Sequence, residues 1–147
     1  MLQNPILRGF HPDPSICRVG DDYYLVVSSF EYFPGIPIYH SRDLVNWRQI
    51  GNCVQRADEF PLQLVEDSGG IWAPVIRWNN GLFYVTATLE GCGNFIVSAS
   101  DPSGEWSAPV WVTEVGGIDP SLYFEDDHAY YCSNDRLDDS GAMISMQ

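Results

Sequence analysis

The sequence predicts an all-β protein, and within that class a β-propeller, from three observations. Three segments of the chain align with one another, each segment has the pattern of a β-hairpin, and no apolar stripe of helical period reaches a convincing length. Repeats of roughly 40 to 60 residues with four strands each are typical of propeller blades. We therefore expect antiparallel sheets arranged around a central channel.

The repeat has a fixed internal spacing. The three segments are DPSICRVGDDYYLV from Asp13, APVIRWNNGLFYVT from Ala73 and DPSLYFEDDHAYYC from Asp119. In each, a branched aliphatic residue stands at the same offset, a pair of turn residues follows, and a tyrosine lies 11 positions after the first residue. Because β-prone residues flank each turn pair, every segment predicts a hairpin.

Further strands are predicted after the first two hairpins. The stretches IPIYHS and NFIVSAS are β-prone, and each precedes an Asp-to-Trp stretch, DLVNW or DPSGEW, and then more β-prone residues. We predict a first blade over about 13–51, a connection over 52–69, a second blade over about 70–115 and the start of a third over about 116–147. Residues 1–147 would then be the N-terminal part of one propeller domain.

The alternative all-β architecture is a sandwich. A sandwich of about seven to ten strands fits the length without truncation, but it does not explain the repeated spacing. Known propellers need about four to eight blades to close, so the propeller interpretation predicts a chain that is a fragment. An open arc leaves sheet faces bare, and the isolated chain is expected to be poorly stable or to associate with itself.

Composition argues against several classes of function. Seven Lys plus Arg against 20 Asp plus Glu give a net charge of −13, which repels nucleic acid and anionic membrane surfaces. The pattern of a signal peptide and that of a membrane span are both missing, so we expect a cytoplasmic protein. The four cysteines lack CxxC spacing and are expected to be free thiols, mostly in the core. Neither a metal site nor a cofactor is predicted.

The repeat starts carry the candidate chemistry. Asp13 and Asp119 occupy the same repeat position, and Ala73 stands there in between. In a propeller these positions face the central channel, so the two carboxylates should converge. Glycoside hydrolysis uses such a pair, one group activating water and the other protonating the leaving oxygen. The alternative is that Asp-Pro-Ser is simply a turn that enters a strand.

Aromatic residues near these positions suggest sugar binding. Trp72 is beside the channel position of the second repeat, where its ring is suited to stacking on a sugar, although burial between blades is equally open. In the stretch SSFEYFPG, Phe30 is a candidate for lining a sugar pocket. For Tyr32 and Phe33 a place in the core between blades is at least as good an interpretation.

On these motifs the chain resembles glycoside hydrolase family 43, the inverting β-xylosidases and α-L-arabinofuranosidases built on a five-bladed propeller. The similarity runs over nearly the whole chain. It is strongest in NPILRGFHPDPSICRVGDDYYLVVSSFEYFPGIPIYHSRDLVNW, then in GGIWAP, then in GGIDPSLYFEDD. The resemblance implies an exo-acting enzyme that hydrolyses terminal β-xylosyl or α-L-arabinofuranosyl residues of xylan and arabinoxylan oligosaccharides.

The resemblance also implies residue roles. Asp13 would be the general base, Asp119 the carboxylate that orients the general acid and raises its pKa, and Phe30 and Trp72 would line the subsite of the terminal sugar. The family's general acid, a glutamate of a later blade, has no counterpart in this chain, so the fragment alone is expected to be inactive. Two rivals stay open: a non-catalytic carbohydrate-binding propeller fragment, and a retaining propeller enzyme that cleaves fructan or sucrose.

Overall fold

A computed structural model of the chain describes the backbone of residues 4–62, 65–138 and 141–146, and the side chains of residues 4–62 and 65–134. The strands are β1 (Ser15–Val19), β2 (Asp22–Val26), β3 (Gly35–Ser41), β4 (Arg48–Val54), β5 (Ile71–Asn79), β6 (Leu82–Leu89), β7 (Gly93–Ala99), β8 (Val110–Val112), β9 (Ile118–Glu125), β10 (His128–Asp138) and β11 (Gly141–Met146). A 3-10 turn, Ala57–Glu59, lies between β4 and β5. The described chain is therefore all-β, as the sequence predicts.

The strands form three antiparallel sheets in chain order. Sheet 1 has the order β1-β2-β3-β4, sheet 2 the order β5-β6-β7-β8, and sheet 3 consists of β9, β10 and β11 with β10 in the middle. Each strand thus pairs with its neighbour in sequence. The β-prone stretches that follow the first two hairpins are β3 with β4 and β7 with β8.

The three predicted hairpins are confirmed, with the turns at the predicted pairs. Gly20-Asp21 joins β1 to β2, Asn80-Gly81 joins β5 to β6, and Asp126-Asp127 joins β9 to β10. Asn80 and Gly81 both have positive φ, 48° and 84°, which is the requirement of a type I′ turn. The turn chemistry therefore fixes where each hairpin reverses.

The first strands of the three sheets are neighbours, and the sheets pack on one another. Strand β5 contacts β1 on one side and β9 on the other. A large apolar core joins sheets 1 and 2, and a smaller one, with Leu122 and Tyr131 against Tyr84 and Ile96, joins sheets 2 and 3. This packing brings the beginnings of β1, β5 and β9 together at one end of the strands.

Two features of the described residues bear on the sequence expectations. Only Cys53 is buried, whereas Cys17 and Cys132 are half-buried and Cys92 is exposed, so the expectation that the thiols lie mostly in the core was wrong. Cys92 is exposed because it lies in the turn between β6 and β7, next to Gly91. Within the described part of the chain, no helix is long and apolar enough to cross a membrane.

Candidate active site

A hollow of about 280 Å³ opens where β1, β5 and β9 begin. It is lined by the residues that start the three repeats: Asp13, Pro14, Ser15, Ala73, Pro74, Val75, Asp119 and Pro120. The two aspartates that the repeat makes equivalent thus border one hollow, with Ala73-Pro74 from the intervening strand between them. Both aspartates are exposed to solvent, so a ligand in the hollow can reach both carboxylates.

The equivalence of the two aspartates extends to the backbone. Asp13 has φ 52° and Asp119 has φ 54°, in the left-handed region that non-glycine residues visit rarely. Ala73 does not share this conformation; the register of β5 against β6 shifts between Trp72 and Val75 instead. Backbone held in a sparsely populated conformation recurs at functional sites, and here it occurs twice at the same repeat position.

The Asp13 carboxylate is anchored by a residue from the opposite side of its own hairpin. The hydroxyl of Ser28 donates to Asp13 Oδ2 at 2.7 Å, and the Ser28 N–H donates to the carbonyl of Pro12 at 3.0 Å. Ser28 is only 1% exposed, so its hydroxyl has little competition from water. The sequence reasoning did not assign Ser28 a role, although the hairpin register places it directly across from Asp13.

The serine that follows each Asp-Pro pair links neighbouring sheets. Ser15 Oγ accepts the N–H of Ile76 at 3.2 Å, which ties the start of β1 to β5. The guanidinium of Arg77 donates to the carbonyl of Leu122 at 2.9 Å and to Ser121 Oγ at 3.4 Å, which ties β5 to β9. These contacts hold the strand starts in place relative to one another. Arg77 was also missed from sequence, because its partners lie in another repeat.

Phe30 is fixed by its backbone. It has φ 51° and forms an isolated β-bridge with Ile71, with N–H to O distances of 2.9 and 3.0 Å in the two directions. This bridge places Phe30 next to the residue that precedes Trp72, and both aromatic side chains are half-buried. Neither ring is among the residues that line the hollow, so the structure does not bring them into contact with the two aspartates.

Exposed aromatic rings lie near Phe30. The ring centroid of Phe10 lies 5.7 Å from that of Phe30 and 6.2 Å from that of Tyr32. Tyr32 is 61% exposed and Phe33 43%, so the structure places neither ring in a core between the blades of this chain. Both belong to the loop between β2 and β3, which leaves the sheet before these residues. Phe10 was not singled out from sequence, although it stands three positions before Asp13.

Among the residues that the structure describes, no group of three or more His, Cys, Asp and Glu side chains is arranged to hold a metal ion. His11, two positions before Asp13, instead contacts the carbonyl of Arg8 and the Tyr39 hydroxyl. The charged groups that line the hollow are thus the two carboxylates. A negative site of this kind favours a ligand that develops positive charge.

Comparison with known proteins places these features in one family. The family model Glycosyl hydrolases family 43 matches residues 2–147. A xylosidase/arabinosidase of Butyrivibrio fibrisolvens is 52% identical over 96% of this chain, and a non-reducing end α-L-arabinofuranosidase of Bacteroides ovatus is 51% identical over 92%. The crystal structure of a xylan β-1,4-xylosidase from Bacillus halodurans superposes on the whole chain with a TM-score of 0.86 at 40% identity.

The chain is much shorter than these relatives. It spans 28% of the Butyrivibrio fibrisolvens protein, 26% of the Bacteroides ovatus protein and 30% of the Bacillus halodurans chain. All three similarities cover nearly all of this chain, so the two aspartates and the hollow lie within the matched region.

Proposed function

The chain belongs to glycosyl hydrolase family 43, and on that basis we propose that the protein containing it is an inverting exo-glycosidase. The substrate would be a terminal β-xylosyl or α-L-arabinofuranosyl residue of a xylan or arabinoxylan oligosaccharide. The observation that carries the proposal is the single hollow bordered by Asp13 and Asp119 at the repeat starts. The names of the two curated relatives, one a xylosidase/arabinosidase and one an α-L-arabinofuranosidase, support the substrate class.

In this proposal Asp13 is the general base. Its carboxylate accepts a proton from the water that attacks the anomeric carbon, while the glycosidic bond on the opposite face of the sugar breaks. The leaving oxygen needs a proton from a general acid, which is a glutamate outside this chain. Asp119 is the second carboxylate of the hollow, which orients that acid and raises its pKa so that it stays protonated.

The aromatic residues would bind the sugar. Phe30 and Trp72 are half-buried, and the bridge holds Phe30 beside Ile71, the residue that precedes Trp72. A half-exposed ring stacks on the apolar face of a sugar without losing its support from the protein. We therefore propose that both rings contact the terminal sugar when the rest of the protein encloses the pocket.

Substitution of the general base tests the proposal in the full-length protein. Asp13→Asn keeps the size of the side chain but cannot accept the proton from water, so kcat should fall by about 10² to 10⁴-fold with little change in substrate binding. The matched control is Asp21→Asn, which alters an exposed aspartate of the β1–β2 turn. Unchanged turnover in Asp13→Asn contradicts the assignment.

The stereochemical outcome is tested separately. An inverting enzyme releases a product whose anomeric configuration is opposite to that of the substrate, because one displacement by water occurs. Proton NMR of the first product formed, recorded before mutarotation, reports the anomer. Retention would favour the fructan- or sucrose-cleaving class of propeller enzymes over the proposed one.

A carbohydrate-binding role without catalysis is the second candidate. The cluster of the exposed Phe10 and Tyr32 with the half-buried Phe30 favours it, since clustered accessible aromatics bind sugars without any need for a proton donor. Calorimetry with xylo-oligosaccharides, combined with an assay for reducing sugar, separates the candidates. Binding with no release of reducing sugar by the full-length protein supports the binding role.

A further inference from the structure

We infer that Ser28 is a positioning residue for the general base: it fixes the orientation of the Asp13 carboxylate. The inference rests on the proposed function, because it matters only if Asp13 accepts a proton. It begins from the 2.7 Å hydrogen bond that the Ser28 hydroxyl donates to Asp13 Oδ2. A hydroxyl can donate one hydrogen bond, and the Ser28 hydroxyl donates it to this carboxylate.

The hairpin geometry makes this contact specific. The β1–β2 register pairs Ser15 with Val26, and continued by two residues it places Ser28 opposite Asp13. The Ser28 N–H donates to the carbonyl of Pro12 at 3.0 Å, so the backbone beside Asp13 is held by the same residue as its side chain. Two hydrogen bonds from one buried residue thus constrain a backbone unit that has an unusual positive φ.

The hydrogen bond also assigns the two carboxylate oxygens. Ser28 occupies Oδ2, and among residues 4–62 and 65–134 no side chain or N–H is bonded to Oδ1. Oδ1 is therefore the oxygen free to accept a proton from water in the hollow. Because Ser28 holds Oδ2, the direction in which Oδ1 meets that water is fixed as well.

The other repeats lack this arrangement. Thr88 stands at the position of Ser28 in the second repeat, but its hydroxyl donates to Asn94 Oδ1 at 2.7 Å, and its partner across the strands is Trp72 instead of Ala73. In the third repeat Asn134 pairs with Ile118 instead of Asp119, because the β9–β10 register shifts between Cys132 and Asn134. The hydrogen bond from Ser28 thus distinguishes Asp13 from Asp119, the equivalent residue of the third repeat, and this difference fits the different roles proposed for the two carboxylates.

A merely structural role for Ser28 predicts a different result. If Ser28 only fills space and satisfies its own hydroxyl, removing the hydroxyl lowers stability and leaves kcat of the folded protein unchanged. If it positions the base, removal lowers kcat and leaves KM nearly unchanged, because the carboxylate is held less well for proton transfer while the sugar is bound as before.

The experiment compares Ser28→Ala with Ser29→Ala in the full-length protein. Ser29 is the neighbouring serine, 4% exposed, and its hydroxyl has no hydrogen-bond partner within the described residues, so it is a matched control. We expect Ser28→Ala to lower kcat by about tenfold with KM nearly unchanged, as loss of a hydrogen bond to a charged group would. Ser29→Ala should match the wild type.

Other outcomes identify which idea fails. A folded Ser28→Ala with wild-type kcat, alongside an inactive Asp13→Asn, overturns the positioning role but leaves the proposed function intact. An equal loss in Ser29→Ala also overturns it. An active Asp13→Asn overturns the proposed function itself. Should Ser28→Ala fail to fold, Ser28→Cys, close in size but a weak donor, must lower kcat with KM nearly unchanged.

Discussion

Gly70 lies where the backbone of the β2–β3 loop meets the start of β5. Its φ is 98°, and a Cβ atom added there would overlap the carbonyl of Phe30, which is hydrogen-bonded to the N–H of Ile71 at 3.0 Å. Gly81 has a similar φ of 84° but open space around the position of a Cβ. Substitutions at the two glycines therefore separate the free-energy cost of a positive φ from that of a close approach between two backbone segments.

We predict that Gly70→Ala destabilises the full-length protein more than Gly81→Ala does. The positive φ should cost about 1–2 kcal/mol at either position. Gly70→Ala must in addition displace the Phe30 carbonyl and weaken the bridge to Ile71. Chemical denaturation of both variants measures the difference in the free energy of unfolding. Equal losses would contradict the close approach between the two backbones.

The single residues show where sequence reasoning succeeds. The convergence of Asp13 and Asp119 follows from the repeat alone, because equivalent positions of packed sheets come together whatever the details of their side chains. Ser28 and Arg77 were not predicted, since each acts through one partner chosen by strand register or by the neighbouring sheet. The register of the first hairpin was available from the Gly20-Asp21 turn, and counting outward from it identifies Ser28.

At the scale of elements, the two Asp-to-Trp stretches form equivalent turns. The Trp47 indole donates to the carbonyl of Leu44 at 3.1 Å, and the Trp106 indole donates to that of Pro102 at 3.4 Å. Each acceptor is the residue after the aspartate, although the spacing from Asp to Trp differs by one. The sequence similarity between DLVNW and DPSGEW therefore reflects one turn design that leads into the last strand of sheets 1 and 2.

The aspartates of these turns, Asp43 and Asp101, accept hydrogen bonds in their ionised form. The backbone N–H and the side-chain amide of Asn46, and then the N–H of Val45, lower the pKa of Asp43 far below its ordinary value. The hydroxyl and the N–H of Ser103 likewise lower the pKa of Asp101. A carboxylate with a depressed pKa stabilises the fold above its ordinary pKa, and that contribution is lost as the pH falls toward the folded-state value.

We predict that Asp43→Asn makes the stability of the full-length protein less sensitive to acid. Between about pH 5 and pH 2 the wild type should lose the contribution of the ionised turn, whereas the variant has no charge there to lose. At neutral pH the variant should be less stable than the wild type. Thermal unfolding followed across this range measures both effects, with Asp67→Asn as an exposed control. Parallel pH curves for Asp43→Asn and wild type would contradict the prediction.

Elements were more predictable than the contacts between them. Each hairpin turn was identified because Gly20-Asp21, Asn80-Gly81 and Asp126-Asp127 interrupt β-prone runs, and such turns depend on local chemistry. The end of β4 at Val54, beyond the expected end at residue 51, was not predicted, because pairing with Gly35 on β3 extends the strand. The number of blades in the complete domain stays a prediction.

At the scale of the whole molecule, the repeat shows which sheet face is left open by the residues that the structure describes. Ile76 and Leu122 are 0% and 3% exposed because they face the preceding sheet, whereas Ile16, at the same repeat position, is 48% exposed. Around Ile16 lies an apolar groove that also includes Ile6, Leu7, Leu25, Leu44 and Trp47. By equivalence with the other repeats, this face of sheet 1 is shaped to receive another sheet.

We predict that the isolated 147-residue chain associates with itself through this face, because burying the groove removes apolar surface from water. Ile16→Thr keeps a β-branched side chain but loses about 1–2 kcal/mol of apolar transfer free energy, so the dissociation constant should rise roughly tenfold. Val110→Thr, at a 65% exposed position outside the groove, is the control. Sedimentation velocity over a range of concentrations measures both. A wild-type chain that stays monomeric and unfolds cooperatively would show that sheet 1 needs no partner.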